Sequence, residues 1–198
     1  MIPKVIHYVW LGKNEKTELF KQCLFSWRRF FPDAKIIEWN EDNLKFIDNK
    51  YYLEALDRGK YAFASDYARL RILSEYGGFY FDSDLELINN VSDFCGYDFV
   101  CCTEKGQNNI YYPIMTAFLG SAPNNRVIKS FLKCYDDLSF INKEGRENLT
   151  TNVILLSKVL KEQFGIADEI CGNTKINLSN DEVIFPYYYF GRLLGGGG

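Results

Sequence analysis

Two kinds of apolar pattern alternate along residues 2–39, and this alternation limits the possible folds more than any other feature of the sequence. Residues 2–10 (IPKVIHYVW) are rich in β-branched and aromatic side chains, which is typical of a buried strand. Residues 17–31 carry apolar side chains at helical spacing, and residues 35–39 (KIIEW) return to a strand pattern. A strand, a helix and a second strand in this order predict a parallel pair joined by a crossover helix. Nucleotide-binding α/β folds contain such units and become candidates.

The rest of the chain continues this alternation. Its clearest helix, residues 63–76, stops at Gly77-Gly78 and leads into a short aromatic strand at 79–81. A length of 198 residues favours one domain, 1–194, and the four glycines at 195–198 are interpreted as a linker remnant. Further strands are predicted at 85–88, 97–102, 114–119 and 183–190, short helices within 40–60, and longer helices at 125–135 and 151–164.

Composition and charge exclude several classes of protein. Hydrophobic residues make up 47% of the chain and aromatic residues 17%, which is too much apolar side chain for a disordered protein. The formal charge is −3 with acids and bases interspersed, so no basic face is offered to nucleic acid. No apolar run reaches the roughly 18 residues that a membrane helix needs, and the N-terminal residues lack the charged, apolar and small-residue order typical of a signal peptide. We expect a cytoplasmic protein, with peripheral attachment to the inner face of a membrane left open.

Cysteine and histidine usage argues against disulfides and against a zinc site. The cysteines lie in apolar or mixed surroundings without CxxC spacing, which predicts reduced and mostly buried thiols. The one histidine, His7, falls inside the first strand and is interpreted as a buried structural residue. The cysteines are Cys23, Cys95, Cys101, Cys102, Cys134 and Cys171.

The residues that best predict chemistry form the triplet Asp82-Ser83-Asp84, directly after the aromatic strand. A turn at Ser83 would set the two carboxylates side by side, and Mg²⁺ or Mn²⁺ accepts such oxygen ligands together with substrate phosphates. In isolation the triplet would be read as a polar turn. The preceding helix, however, adds Asp66 and Arg69, which are spaced i and i+3 and therefore share one helical face. Alone, that pair would be read as a solvated ion pair.

Three features in order resemble one enzyme family. They are IHYVWLG at 6–12, FASDYARLRILSEYGGFYFDSD at 63–84, and the α/β order between them. Together they resemble the DXD-type glycosyltransferase sugar-binding family, over roughly residues 2–120. That family includes initiating α-mannosyltransferases, capsular-polysaccharide transferases and, more distantly, the large glucosylating toxins. The resemblance implies an α/β fold of the GT-A type, in which a central, mostly parallel sheet flanked by helices binds a nucleotide sugar.

The resemblance also implies a role for each matching position. Asp84 would ligate a divalent cation, Mn²⁺ or Mg²⁺, and Asp82 would contact the ribose and complete the metal shell, which makes these two the implied catalytic residues. Asp66 and Arg69 would hydrogen-bond the hydroxyls of the donor sugar. The full implied donor-binding set is Val9 and Trp10, which would bracket the base with Trp10 stacking on it, Ser65 near the nucleotide, Asp66, Arg69 and Asp82.

The reaction implied by the resemblance is transfer of a sugar with retention of its anomeric configuration. UDP is the favoured nucleotide and GDP the alternative, and the acceptor would be a polysaccharide, a lipid-linked sugar or a protein. Family members usually complete the site with a late His or acid followed by a Ser-Trp element, which does not occur after residues 187–190. Either the domain is truncated at its C-terminus or another residue substitutes, and Glu182 is the candidate for a late acidic contact. A domain that binds a nucleotide sugar or glycan without turnover therefore stays an alternative.

Overall fold

A computed structural model describes residues 1–105, 111–167, 174–189 and 191–193. The helices are α1 (Glu18–Phe30), α2 (Lys50–Asp57), α3 (Tyr61–Tyr76), α4 (Arg126–Lys133) and α5 (Asn152–Phe164). The strands are β1 (Val5–Val9), β2 (Lys35–Trp39), β3 (Gly78–Phe81), β4 (Leu85–Leu87), β5 (Phe99–Lys105), β6 (Tyr111–Ser121), β7 (Ile176–Asn177), β8 (Glu182–Phe185) and β9 (Gly191–Leu193). The predicted glycine tail lies outside the described residues.

A sheet in the order β2-β1-β3-β6-β5-β8-β7 forms the centre of the fold. Within the described residues β1, β2, β3, β5 and β8 run in one direction, and only β6 and β7 oppose them. Helices cover both faces, so the predicted α/β fold with a mostly parallel sheet is confirmed. A separate antiparallel pair, β4 with β9, follows the Asp-rich triplet.

The predicted crossover unit at the N-terminus is present. Strands β1 and β2 are parallel and in register from Val5 opposite Lys35 onwards. Helix α1 starts where the Thr17 side chain accepts a hydrogen bond from the Phe20 backbone N–H, which satisfies one unpaired donor of the first turn. Trp27 is fully buried on the inner face of α1, and this burial fixes the helix against the sheet.

Strand β3 separates two layers of apolar core. Successive side chains of a strand point to opposite faces, so Phe79 and Phe81 join the core under α1, while Tyr80 joins the core under α3. The turn from α3 into β3 needs glycine, because Gly77 and Gly78 have φ of +63° and +96°. A Cβ on Gly78 would also lie 2.7 Å from the Val5 carbonyl oxygen. The interpretation of these glycines as a helix stop is confirmed.

His7 has the structural role predicted for it. Its ring is buried, its Nε2 donates to the Gly77 carbonyl oxygen at 2.9 Å, and its Nδ1 accepts from Trp39 Nε1 at 3.0 Å. These two contacts fit a single neutral tautomer. Burial lowers the pKa of His7 to about 4, so the ring is neutral at physiological pH.

Some boundaries differ from those predicted. The strand expected over 183–190 ends at Phe185, because Pro186 lacks an N–H and the chain then turns, with the Tyr189 N–H bonded to the Pro186 carbonyl. Strand β6 is longer than expected, and the short β7 and β9 were not predicted. The cysteines within the described residues are all free thiols, and Cys171 lies outside them. Among the described residues, no helix combines the length and apolar character that crossing a membrane requires.

Candidate active site

A cavity of about 510 Å³ opens at the carboxyl ends of β1 and β3. Open α/β sheets bind ligands at this edge. The connections from two neighbouring strands lead to opposite sides there and leave a crevice between them. The structure brings together every residue that the resemblance implied for the site. The cavity is lined by Val9, Trp10, Ser65, Asp66, Arg69, Asp82 and Asp84.

Arg69 lies at the centre of the charged wall and is only 4% exposed. Its Nη1 lies 3.2 Å from Asp82 Oδ1 and donates to the Thr116 carbonyl oxygen at 2.8 Å. Its Nη2 pairs with Asp66 Oδ1 at 2.9 Å and donates to Ser65 Oγ at 3.1 Å, while Nε donates to the Ser65 carbonyl at 3.2 Å. These contacts account for all five N–H groups of a guanidinium. Arg69 therefore positions two carboxylates, and direct bonding of a sugar by Arg69 stays a prediction that this geometry does not favour.

The pKa values of Arg69 and Asp66 differ in their consequences: Arg69 stays positively charged, whereas Asp66 ionises less readily than an ordinary carboxyl group. Burial alone would lower the pKa of Arg69, but the charge of Asp82 and the other acidic groups around it outweigh burial and hold the pKa above its ordinary value. Burial raises the pKa of Asp66 to about 7, with Asp82 adding to the rise and Arg69 opposing it. Asp66 therefore takes up a proton at a higher pH than an ordinary carboxyl group.

Asp82 and Asp84 occupy different environments although they are two residues apart. Asp82 accepts a hydrogen bond from the Tyr80 hydroxyl at 3.0 Å and faces Arg69. Asp84 forms no salt bridge with any described residue, and burial together with the negative charge of Asp82 raises its pKa. The Asp84 carboxylate is thus the member of the pair that lacks a protein cation.

The donor set at this wall fits a divalent cation shared with a ligand. When ionised, the three carboxylates Asp66, Asp82 and Asp84 against the one guanidinium of Arg69 leave a net charge of −2. Within the described part of the chain, no three or more His, Cys, Asp or Glu residues are grouped to hold a metal alone. Mg²⁺ commonly takes only one or two protein carboxylates and fills its other positions with water and phosphate oxygens. Asp82 and Asp84 could hold such an ion.

Val9 and Trp10 form the wall at the end of β1. Val9 is 8% exposed and belongs mainly to the core, so it offers a ligand little surface. The Trp10 ring is half-buried, and its Nε1 donates to the Asn14 carbonyl at 2.9 Å. An indole at a cavity wall can stack on a flat base, so the stacking role of Trp10 stays a prediction with suitable geometry.

A further wall of the cavity comes from residues at the start of α5 that were not predicted from the sequence. Helix α5 begins at the cavity, where Thr151 has no side-chain capping bond and the backbone of Asn152 hydrogen-bonds Asp66. Asn152 is 4% exposed; its Oδ1 accepts from Thr116 Oγ1 at 2.9 Å, while its Nδ2 has no hydrogen-bond partner. A buried amide donor without a partner is costly unless a ligand satisfies it. The sequence signal for this wall was the long helix predicted to begin at Thr151-Asn152.

The expectation for Glu182 is wrong. Glu182 opens β8, opposite Phe99 at the start of β5, whereas Asp82 follows the end of β3. Since these strands run in one direction, Glu182 lies at the far edge of the sheet from the cavity. It is buried there and accepts from Asn125 Nδ2 at 2.9 Å and Arg126 Nε at 2.8 Å. These bonds tie the start of α4 to β8.

Comparison with known proteins identifies the family. The model of the capsular polysaccharide synthesis protein family matches residues 1–148. The chain belongs to that family. No curated protein matches it. The region matched by the capsular polysaccharide synthesis family contains β1, α3 and the Asp-rich triplet, and it ends before Thr151 and Asn152.

Solved structures agree with the fold. The chain is similar to the PaToxG glycosyltransferase, with 18% sequence identity and a TM-score of 0.63, over 83% of this chain and 70% of that one. It is also similar to a transferase mutant, with 10% identity and a TM-score of 0.50, over 82% of this chain and 85% of that one. The fold is of the GT-A type, as the resemblance implied. Membership in the capsular polysaccharide synthesis family and this fold together support a glycosyltransferase.

Proposed function

We propose that the chain transfers a sugar from a nucleoside diphosphate sugar to a glycan acceptor, with Mn²⁺ or Mg²⁺ held by Asp84 and Asp82. The observation that carries this proposal is the convergence of Trp10, Asp66 and the Asp82-Ser83-Asp84 turn on one cavity. An aromatic wall, a carboxylate and a metal-binding pair are the three kinds of group that a base, a sugar and a diphosphate require. UDP is the favoured nucleotide, with GDP as the alternative.

The chemistry at the leaving group depends on charge. Asp84 and Asp82 would hold the cation, whose positive charge would neutralise a departing diphosphate. Arg69 fixes the Asp82 carboxylate through its Nη1 and the Asp66 carboxylate through its Nη2. The Asp66 carboxylate and the Asn152 amide are then placed to bond hydroxyls of the donor sugar. Preorganised groups of this kind lower the barrier without rearranging during the reaction.

The acceptor belongs to the same proposal. We expect a growing polysaccharide, a lipid-linked sugar or a protein, and retention of the anomeric configuration, both by resemblance to the DXD-type family. The members of the matched family act in capsular polysaccharide synthesis, which makes a glycan acceptor the first to test. Proton NMR of the product formed from a UDP-sugar would show whether the anomeric configuration is retained.

Turnover of a donor panel tests the proposal. Purified protein is incubated with UDP- and GDP-sugars, with Mn²⁺, Mg²⁺ or EDTA, and release of the nucleoside diphosphate is measured. We expect release that depends on the metal and that falls by about 100-fold or more in Asp84→Asn. The matched control is Asp33→Asn, because the Asp33 side chain is exposed and its ion pair with Lys4 is long, at 3.7 Å.

Two outcomes would change the proposal. Equal turnover by Asp84→Asn and Asp33→Asn would remove Asp84 from the site. Metal-dependent donor binding without any release, in the presence of acceptor glycans, would favour a domain that holds nucleotide sugars without turning them over.

A further inference from the structure

Lys16 is a half-buried cation that contacts the Trp10 ring without lining the cavity. Its Nζ lies 4.3 Å from the ring centroid of Trp10, and 5.5 and 5.6 Å from those of Tyr8 and Phe20. Trp10 lines the cavity, whereas Lys16 and Phe20 do not. Lys16 and Phe20 therefore contact the indole from outside the cavity lining.

Glu38 anchors the Lys16 ammonium to the sheet. On β2, Glu38 Oε2 pairs with Lys16 Nζ at 2.9 Å and accepts a hydrogen bond from the Tyr8 hydroxyl at 2.5 Å. Its Oε1 faces Asn40 Nδ2 at 3.4 Å. Burial alone would raise the pKa of Glu38, but the bonds from Tyr8 and Lys16 outweigh burial and hold the pKa below its ordinary value. The carboxylate is ionised at neutral pH, so the Lys16 ammonium has a fixed counterion.

The loop between β1 and α1 fixes the edge of the same ring. Trp10 Nε1 donates to the Asn14 carbonyl, and the ring lies 5.2 Å from that of Phe20. The loop itself is tied to the fold, because the Gly12 N–H donates to Glu41 Oε1 at 2.7 Å and Gly12 has φ of +90°. An aromatic side chain held in one rotamer before a ligand arrives loses less entropy on binding.

We propose that Lys16, anchored by Glu38, is a positioning residue that holds the Trp10 indole for stacking on the nucleobase of the donor. This inference rests on the proposed function, since it requires a nucleotide in the cavity. A cation over an indole is attracted to the negative face of the ring, and the attraction strengthens when the cation is partly removed from water. Lys16 thus acts through Trp10 and touches no substrate.

Two probes separate a role in base binding from a general structural role. The affinities of the protein for UDP and for inorganic pyrophosphate are measured by calorimetry in the presence of Mn²⁺, and GDP replaces UDP if the wild type prefers it. We expect Lys16→Met to weaken nucleotide binding about fivefold and to leave pyrophosphate binding unchanged, because pyrophosphate has no base. KM for the donor should rise to a similar extent while kcat stays the same.

Three further variants complete the experiment. Lys16→Arg should bind the nucleotide as the wild type does, because a guanidinium also sits over an indole. In a Trp10→Ala background, Lys16→Met should have no further effect. Lys21→Met serves as the matched control, since Lys21 is an exposed lysine that pairs with Glu18. Thermal unfolding of each variant reports whether the fold is retained.

The outcomes distinguish this inference from the proposed function. Unchanged nucleotide affinity in Lys16→Met would overturn the role of Lys16 alone. An equal loss of nucleotide and pyrophosphate affinity would show a structural role and would also overturn it. Failure of the wild-type protein to bind UDP or GDP would overturn the proposed function and this inference together.

Discussion

Arg69 determines how charge is arranged in the cavity. It is buried, every N–H of its guanidinium has a partner, and it separates the carboxylates of Asp66 and Asp82. The guanidinium carbon of Arg69 also lies 4.6 Å from the ring centroid of Tyr80, and this cation–π contact helps to hold the guanidinium in place. The buried guanidinium and its two partly buried carboxylates stabilise the fold only while all three are present, because removal of one leaves uncompensated charge.

Substitution of Arg69 by Met should therefore destabilise the protein. We expect the free energy of unfolding to fall by about 3–5 kcal/mol, because two acidic side chains lose their cation. Urea unfolding checks this. Arg71→Met is the matched control, since Arg71 is partly exposed, pairs with Glu75 along α3, and should cost about 1 kcal/mol or less. If both variants unfold at the same urea concentration, the charge arrangement described for Arg69 is wrong.

The charged residues of the cavity were predicted from the sequence, but the role of each was not. Asp82, Asp84, Asp66 and Arg69 were identifiable because they lie within one stretch of chain, 63–84, whose order resembles a known family. Of the partners of Arg69, the Thr116 carbonyl was not identifiable, because it comes from a distant strand. Spacing along a helix shows that two side chains share a face, but it does not show which donors remain for a ligand.

The junction of β1, β2 and the end of α3 depends on His7. Its ring links the Gly77 carbonyl to Trp39, and so connects the three elements that position Trp10 and the Asp-rich turn. The neutral ring fits both bonds, since protonation would turn Nδ1 from an acceptor into a donor facing another donor.

The stability of this junction should depend on pH. The pKa of His7 is lowered from 6.5 to about 4, so the unfolded state binds the proton first as pH falls. The contribution of His7 is therefore complete above about pH 6.5 and declines as pH falls towards 4. Urea midpoints of wild type and His7→Gln, measured from pH 7.5 to 4.5, should converge at low pH. A difference that stays constant over this range would contradict the pKa shift.

The start of α5 supplies a wall of the cavity that was not assigned from the sequence, although the helix itself was predicted at 151–164. Asn152 lies far along the chain from Asp82, and the two meet only because α5 packs against β6, which pairs with β3. The strands that the sequence reasoning missed, β7 and β9, are too short to show a periodic pattern. By contrast, β2 and α1 were predicted to within a residue or two. Their apolar spacing is regular, and Thr17 caps the start of α1.

Asn152→Asp tests the contribution of α5 to the cavity. The change keeps the oxygen that accepts from Thr116 but replaces the unpartnered Nδ2 donor with an acceptor. We expect KM for the donor to rise about tenfold, in proportion to the loss of one buried hydrogen bond and the addition of negative charge. The control is Asn124→Asp, because Asn124 is exposed and lies outside the cavity. Equal KM values for the two variants would remove Asn152 from the donor site.

At the scale of the whole molecule, the direction of the strands determines at which edge of the sheet the site lies. Since β1 and β3 are parallel neighbours, their carboxyl ends deliver Trp10 and the Asp-rich turn to one edge. The reversal at β6 brings in Thr116, and α3 and α5 close the remaining walls. The chain carries a formal charge of only −3, so the acidic cavity is a local property that attracts a cation without making the whole surface strongly acidic.

Calorimetry of UDP binding, with and without Mn²⁺, tests whether Asp84 and Asp82 form a metal site shared with a diphosphate. Wild-type protein should bind UDP about tenfold or more tightly when Mn²⁺ is present, because each ligand completes the site of the other. Asp84→Asn should lose this coupling while its thermal unfolding stays close to that of the wild type. UDP binding that is equally tight with Mn²⁺ and with EDTA, or coupling that survives in Asp84→Asn, would show that the metal site lies elsewhere.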